Sequence, residues 1–263
     1  MRNANAIVIA GATALALMSA PVLAADLPVV TKAPPRVMVP VYNWTGFYVG
    51  AHGGYGWGSH AVEFTPDAFY APIFAAGAAP LAGAANPRGA LGGVQAGWNW
   101  QADRFVFGFE ADTSITDIKA SQTVNGVFGV IPFTGSISQK LSWLSTGRLR
   151  GGFVLGDNVL LYATGGVAAG HAEFSSTSRP AVGGCFAPGA CPAGSASDTL
   201  VGWAVGAGIE YGIGAWSFRA EYLHYDLGTL TGIGRDPALP AFGIAATTRF
   251  SGDIVRGGIS YRF

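Results

Sequence analysis

The stretch VGWAVGAGIEY, residues 201–211, places Val201, Trp203, Val205, Ile209 and Tyr211 on one parity and Gly202, Ala204, Gly206, Gly208 and Glu210 on the other. A period of two is the signature of a strand with two unlike faces. What constrains the fold is where the charge falls. The lone carboxylate shares its face with small residues, while the opposite face is bulky, aromatic and free of charge. A soluble barrel has the reverse arrangement, an apolar inside and a charged outside.

The same division recurs along the chain. Phe105, Phe107 and Phe109 oppose Val106, Gly108, Glu110 and Asp112; Leu141, Trp143, Leu149 and Phe153 oppose Ser142, Thr146, Arg148 and Arg150. Trp216, Phe218 and Tyr222 oppose Ser217, Arg219 and Glu221, and Val255, Ile259, Tyr261 and Phe263 oppose Arg256, Gly258, Ser260 and Arg262. Eight alternating segments can be counted, near 44–57, 90–101, 104–114, 138–155, 158–173, 199–212, 215–228 and 247–263; in the first and fifth the two faces are not cleanly separated. The second, fourth and sixth links are tight, while the first, third, fifth and seventh are long, near 58–89, 115–137, 174–198 and 229–246. Short turns at one end and long loops at the other is the plan of an outer-membrane barrel.

Composition narrows the choice. Only 11% of residues are charged and 40 are glycine, with 15 basic residues balancing 15 acidic ones, so no net field points to nucleic acid. Outside the amino-terminal segment no apolar run is long enough for a spanning helix, and lipid otherwise admits only closed barrels. The expectation is an all-β fold, an eight-stranded antiparallel transmembrane β-barrel with short periplasmic turns and long extracellular loops. Trp44, Trp57, Trp98, Trp100, Trp143, Trp216 and Tyr261 are expected in its aromatic girdles.

The amino terminus has a basic Arg2, an apolar stretch and Val22-Leu23-Ala24, which reads as a signal peptide over 1–24. Residues 25–42 are a proline-rich periplasmic lead-in, and 43–263 form the barrel. The expected location is the outer membrane of a Gram-negative bacterium.

AADLP, the TKAPP lead-in, NWTGFYVG…GGYGWG, the internal LLYATGGVA and the terminal VRGGISYRF together resemble the alphaproteobacterial outer-membrane protein 25/31 family, small porin-like surface antigens with an OmpA-like barrel shape. The resemblance covers essentially the whole mature chain. It implies an eight-stranded barrel but no single activity. It also implies that the terminal strand, with Ile259, Tyr261 and Phe263, is the tag read by the outer-membrane assembly machinery. The Ala/Pro-rich first loop and the cysteine-bearing third depart from shorter members, so partner specificity does not carry over.

By parity Glu110, Asp112, Glu210 and Glu221 face a lumen with Arg148, Arg150, Arg219, Arg256 and Arg262. Eight strands leave an interior just wide enough for side chains, where unpaired charge is costly. An ion-pair plug is expected, although parity does not say which carboxylate meets which arginine. Cys185 and Cys191 in CFAPGAC are expected to form a disulfide in an oxidising compartment. His52, His60, His171 and His224 are read as rim or lumen residues, with His60 and His171 the candidates were haem to bind. EYLHYD puts Glu221 on one face and His224 with Asp226 on the other, with no nearby serine, so no catalytic site, metal or cofactor is expected. The role expected is envelope structure and surface presentation. A narrow porin-like channel for small solutes is the first alternative, and a haem- or host-surface-binding receptor built from the extracellular loops is the second. The partners expected are outer-membrane lipid, the assembly machinery and, through the loops, an extracellular ligand or host surface.

Overall fold

The computed structural model describes residues 42–75, 82–128, 131–180 and 191–263. The expected signal peptide, and the lead-in up to its last residue, lie outside the described residues. Ten strands follow: β1 (Gly46–Trp57), β2 (His60–Pro66), β3 (Ala82–Ala85), β4 (Arg88–Ala102), β5 (Phe105–Phe128), β6 (Ile131–Leu155), β7 (Val159–Pro180), β8 (Ala193–Ile213), β9 (Trp216–Asp236) and β10 (Leu239–Arg262). A short helix, α1 (Ala71–Ala75), lies between β2 and β3.

β1 pairs with both β4 and β10, and each strand from β4 to β10 pairs antiparallel with the next, which closes a ring of eight. The β2–β3 hairpin continues the ring beyond β1 and β4, with Thr248 of β10 opposite Val62 of β2. The tight turns begin at Asp103, Gly156 and Gly214, all at positive φ. Such left-handed residues match the twist of short hairpin turns.

The long links turn out to be mostly strand. β5 and β6 run for 24 and 25 residues, about twice what a tilted spanning strand needs. The reason lies in a second pattern laid over the first. Outward from Phe105 to Ile115, β5 is apolar apart from Thr113, whose hydroxyl is paired with that of Ser145; beyond it Asp117, Lys119 and Ser121 face out while Ile118 is buried. β6 repeats this, with Lys140 outside and Leu141 and Ile137 inside. Apolar-out becomes polar-out, and the interior inverts from charged to mainly apolar, with Gln139 and Thr248 bonded to each other within it. Ile118, Leu141, Phe174, Leu223, Leu227, Phe250 and Ile254 belong to the apolar core of this outer half. Register shifts at Ile115/Ile118, Leu141/Leu144 and Arg249/Ser251 sit at the changeover. Bulges bend strands and increase their twist, which suits a junction between two kinds of packing.

The eleven residues Phe105–Ile115, at about 3.4 Å each and a tilt of about 40°, give an apolar band about 28 Å tall. That matches the hydrocarbon core of an outer membrane. Trp98, Trp100, Trp216 and Tyr261 are exposed near the tight-turn edge, while Trp57 and Trp203 are exposed and Trp143 half-buried near the other. Trp44 does not join a girdle: it is fully buried inside the ring, at its tight-turn end.

Candidate functional site

All eight ring strands carry polar residues into the membrane half of the lumen, and four carboxylates there share four arginines. Arg148 of β6 sits at the centre. Its Nη2 donates to Glu110 Oε1 and Asp112 Oδ2, both at 2.8 Å, its Nη1 to Glu221 Oε1 at 2.8 Å, and its Nε to Thr146 Oγ1 at 2.8 Å. Arg256 of β10 donates from Nη2 to Glu221 Oε1 at 2.7 Å and from Nη1 to Asp112 Oδ1 at 3.1 Å. Arg219 reaches across to Glu110 Oε2 at 2.6 Å, and Arg150 to Glu210 Oε2 at 2.6 Å. Register partly sets these partners: Glu110 lies opposite Arg148, and Glu221 opposite Arg256. Glu210 is also opposite Arg219, yet it pairs instead with Arg150 from two strands away.

Two tyrosines that parity reasoning did not single out complete the network. Tyr48 donates to Glu110 Oε2 at 2.7 Å and accepts from Arg150 Nη1 at 3.0 Å; Tyr162 donates to Glu221 Oε2 at 2.7 Å. Both lie in the segments whose faces were unclear in sequence. Their rings lie over lumen glycines: a Cβ on Gly97 would stand 2.4 Å from Tyr48 Oη, and one on Gly208 2.6 Å from Tyr162 Oη. The glycines therefore share the charged face because the facing side chains occupy their space.

Arg262 departs from the expectation. It makes no ion pair among the described residues, because its guanidinium lies lower, 5.1 Å from the ring centres of both Tyr42 and Trp44, and donates to Asn43 O. Those two rings, 4.5 Å apart, fill the tight-turn mouth from inside with Val106, Val154, Leu160 and Tyr162. The lumen is thus layered: aromatic cork, ion cluster, mainly apolar outer core.

The remaining candidates scatter. His52 is buried in the lumen, where Nδ1 donates to Gln95 Oε1, leaving Nε2 to accept from Ser114 Oγ at 2.7 Å and Arg256 Nη1 at 3.4 Å. His60 is buried against the Ser251 carbonyl, and His171 lies half-buried on β7. His224 faces outward, where its Nδ1 and the Tyr222 hydroxyl meet Asp253 Oδ1 at 2.8 and 2.5 Å. Asp226, expected on the face of His224, is buried and pairs with Arg249 because the chain is irregular there. Glu221, His224 and Asp226 therefore hold three separate environments. Cys191 is disulfide-bonded and its N–H donates to Asp236 Oδ2 at 2.8 Å, while Cys185 lies outside the described residues. Ile259, Tyr261 and Phe263 all point outward. No three metal-ligating side chains cluster among the described residues.

Comparison with known proteins agrees with this architecture. The family described as outer membrane protein beta-barrel domain matches residues 10–263. The 31 kDa outer-membrane immunogenic protein of Brucella melitensis biotype 1 is 29% identical over 256 residues, covering 96% of this chain and 98% of that protein. The 25 kDa outer-membrane immunogenic protein of Brucella abortus biovar 1 is 27% identical over 271 residues, covering both chains fully. Among solved structures, the outer-membrane protein OprG of Pseudomonas aeruginosa superposes with a TM-score of 0.51 at 15% identity, over 85% of this chain and 99% of that one.

Proposed function

The chain belongs to the outer-membrane protein β-barrel family, and on that premise we propose that it is a structural and surface-presenting barrel whose lumen is closed. The carrying observation is the layer in which Arg148 alone binds three carboxylates drawn from two strands, with Glu110, Asp112 and Glu221 all buried. Charges linked in this way do not exchange with hydrated ions unless several contacts break together. Breaking a buried pair costs about 3–5 kcal/mol. The Tyr42–Trp44 cork below and the apolar core above favour the same reading, since both fill the lumen with apolar side chains on either side of the ion cluster.

The role assigned is mechanical and positional. The membrane half anchors the chain, and the outer half carries the β2–β3 hairpin, α1 and the outer ends of the long strands away from the bilayer. Ile259, Tyr261 and Phe263 serve as the face presented to the assembly machinery. The test is single-channel recording of the refolded protein in planar bilayers. Bilayers that stay silent at either polarity support the closed lumen; discrete openings at neutral pH refute it and favour a narrow solute channel.

A further inference from the structure

Among the described residues, charge in the lower lumen does not balance. Five buried guanidinium groups, Arg148, Arg150, Arg219, Arg256 and Arg262, face four buried carboxylates, Glu110, Asp112, Glu210 and Glu221. Arg148 and Arg256 are surrounded by acids, so the surplus falls on the other three. These converge on one ring: the guanidinium carbons of Arg150, Arg219 and Arg262 lie 5.7, 5.6 and 5.9 Å from the centre of Tyr48. Each also has a buried Nε–H without a partner, and Arg262 has a free Nη2 besides. Trp44 Nε1, whose indole lies against Arg262, and Asn99 on β4 are likewise buried and unsatisfied.

We infer that this region, where Arg150, Arg219 and Arg262 surround Tyr48 above the Trp44 cork, binds a small monovalent anion such as chloride. Unpaired N–H donors predominate there, which is the requirement of an anion and a poor fit to a cation. Water could satisfy individual N–H groups, but it leaves the excess guanidinium uncompensated in a buried layer. Arg262 is the specific determinant, since the other two already hold Glu210 and Glu110. The rings beside its guanidinium satisfy its faces by cation–π contact, and with Nη1 held by Asn43 O, its Nε–H and Nη2 are left for the ion.

The experiment uses the full mature chain refolded in detergent, with chloride exchanged for gluconate at constant ionic strength. A ligand bound only by the folded state raises the thermal midpoint, by about 5–10 °C at one hundred times its dissociation constant. Chloride should give a saturating rise of this kind in the wild type and none in Arg262→Gln. Bromide-soaked crystals of the wild type should show an anomalous peak in contact with Arg262, a readout that stands should the variant fail to refold. A midpoint indifferent to chloride, an equal chloride response in Arg262→Gln, or no bromide peak at Arg262 would each overturn the site.

Discussion

Glu110 lies within 4 Å of four arginines, more than any other described carboxylate, and replacing it by glutamine tests the ion cluster most sharply. Its two oxygens accept from Arg148 at 2.8 Å, Arg219 at 2.6 Å and the Tyr48 hydroxyl at 2.7 Å, with Arg150 and Arg256 3.9 Å away. Three hydrogen bonds to a charged carboxylate, at about 1.5–3 kcal/mol each, set an upper bound of about 9 kcal/mol. Glutamine keeps one acceptor oxygen and the same volume, so part of that is retained. The larger loss is electrostatic: five buried guanidinium groups would face three carboxylates instead of four. Glu110→Gln should therefore cost about 3–5 kcal/mol, the range for orphaning a buried partner. The assay is reversible guanidinium unfolding of the refolded barrel in lipid vesicles, followed by tryptophan emission. Adding Arg219→Met removes the cation whose one ion-pair partner is Glu110, and the double variant should be at least ~1 kcal/mol more stable than the two single losses summed. A single-variant cost below ~1 kcal/mol, or strict additivity in the double, would mean that the network is not a coupled unit.

The changeover between the two halves gives a paired prediction. Phe109→Arg, on the outward face near mid-band, should cost about 2–4 kcal/mol in vesicle unfolding, whereas Ser121→Arg, outward on the same strand beyond the band, should leave the midpoint unchanged. Leu223→Ala in the apolar outer core should cost about 2–5 kcal/mol by the same assay, with a small effect disproving tight packing there. Asp67 holds α1 against β10. Its desolvation is outweighed by N–H bonds from Gly243, Tyr70 and Phe69, so its carboxyl lies below its ordinary range. A depressed value makes that docking fully present above about pH 4 and lost as pH falls through the folded value. Protection of residues 69–75 from hydrogen exchange, taken relative to the intrinsic rate at each pH, should fall in acid and in Asp67→Asn; indifference to both would remove Asp67 as the clasp. Deleting Phe263 should reduce insertion in cells more than it lowers the stability of refolded barrels, and normal insertion would contradict the assembly role.

The membrane half was the legible part of the sequence, because lipid outside and charge inside give each strand an unambiguous parity. Glu110, Asp112, Arg148, Arg150, Glu210, Arg219, Glu221 and Arg256 all meet in the lumen at the positions their parity gives. Parity says nothing of height, however, so Arg262 could not be separated from the cluster above it. Tyr48 and Tyr162 escaped notice because an inward tyrosine among glycines looks in sequence like a lipid-facing one. The outer half was read as loops for a related reason. There the apolar residues are inside, and bulges in β6 and β9 break the run of alternation where the pattern inverts. Pairing partners across the lumen, such as Arg219 with Glu110, depend on closure of the ring and have no local signal.

The central claim is that one set of strands serves two solvents, with the boundary just beyond Ile115 on β5. A spin-label scan of its outward positions from Phe105 to Thr123, in vesicles and in a background with both cysteines replaced by serine, measures this directly. Collision with oxygen in lipid should dominate through Ile115, and collision with a water-soluble nickel chelate should dominate from Asp117 onward. Lipid-like accessibility persisting to Thr123, or aqueous accessibility at Phe107 and Phe109, would contradict the two-solvent barrel.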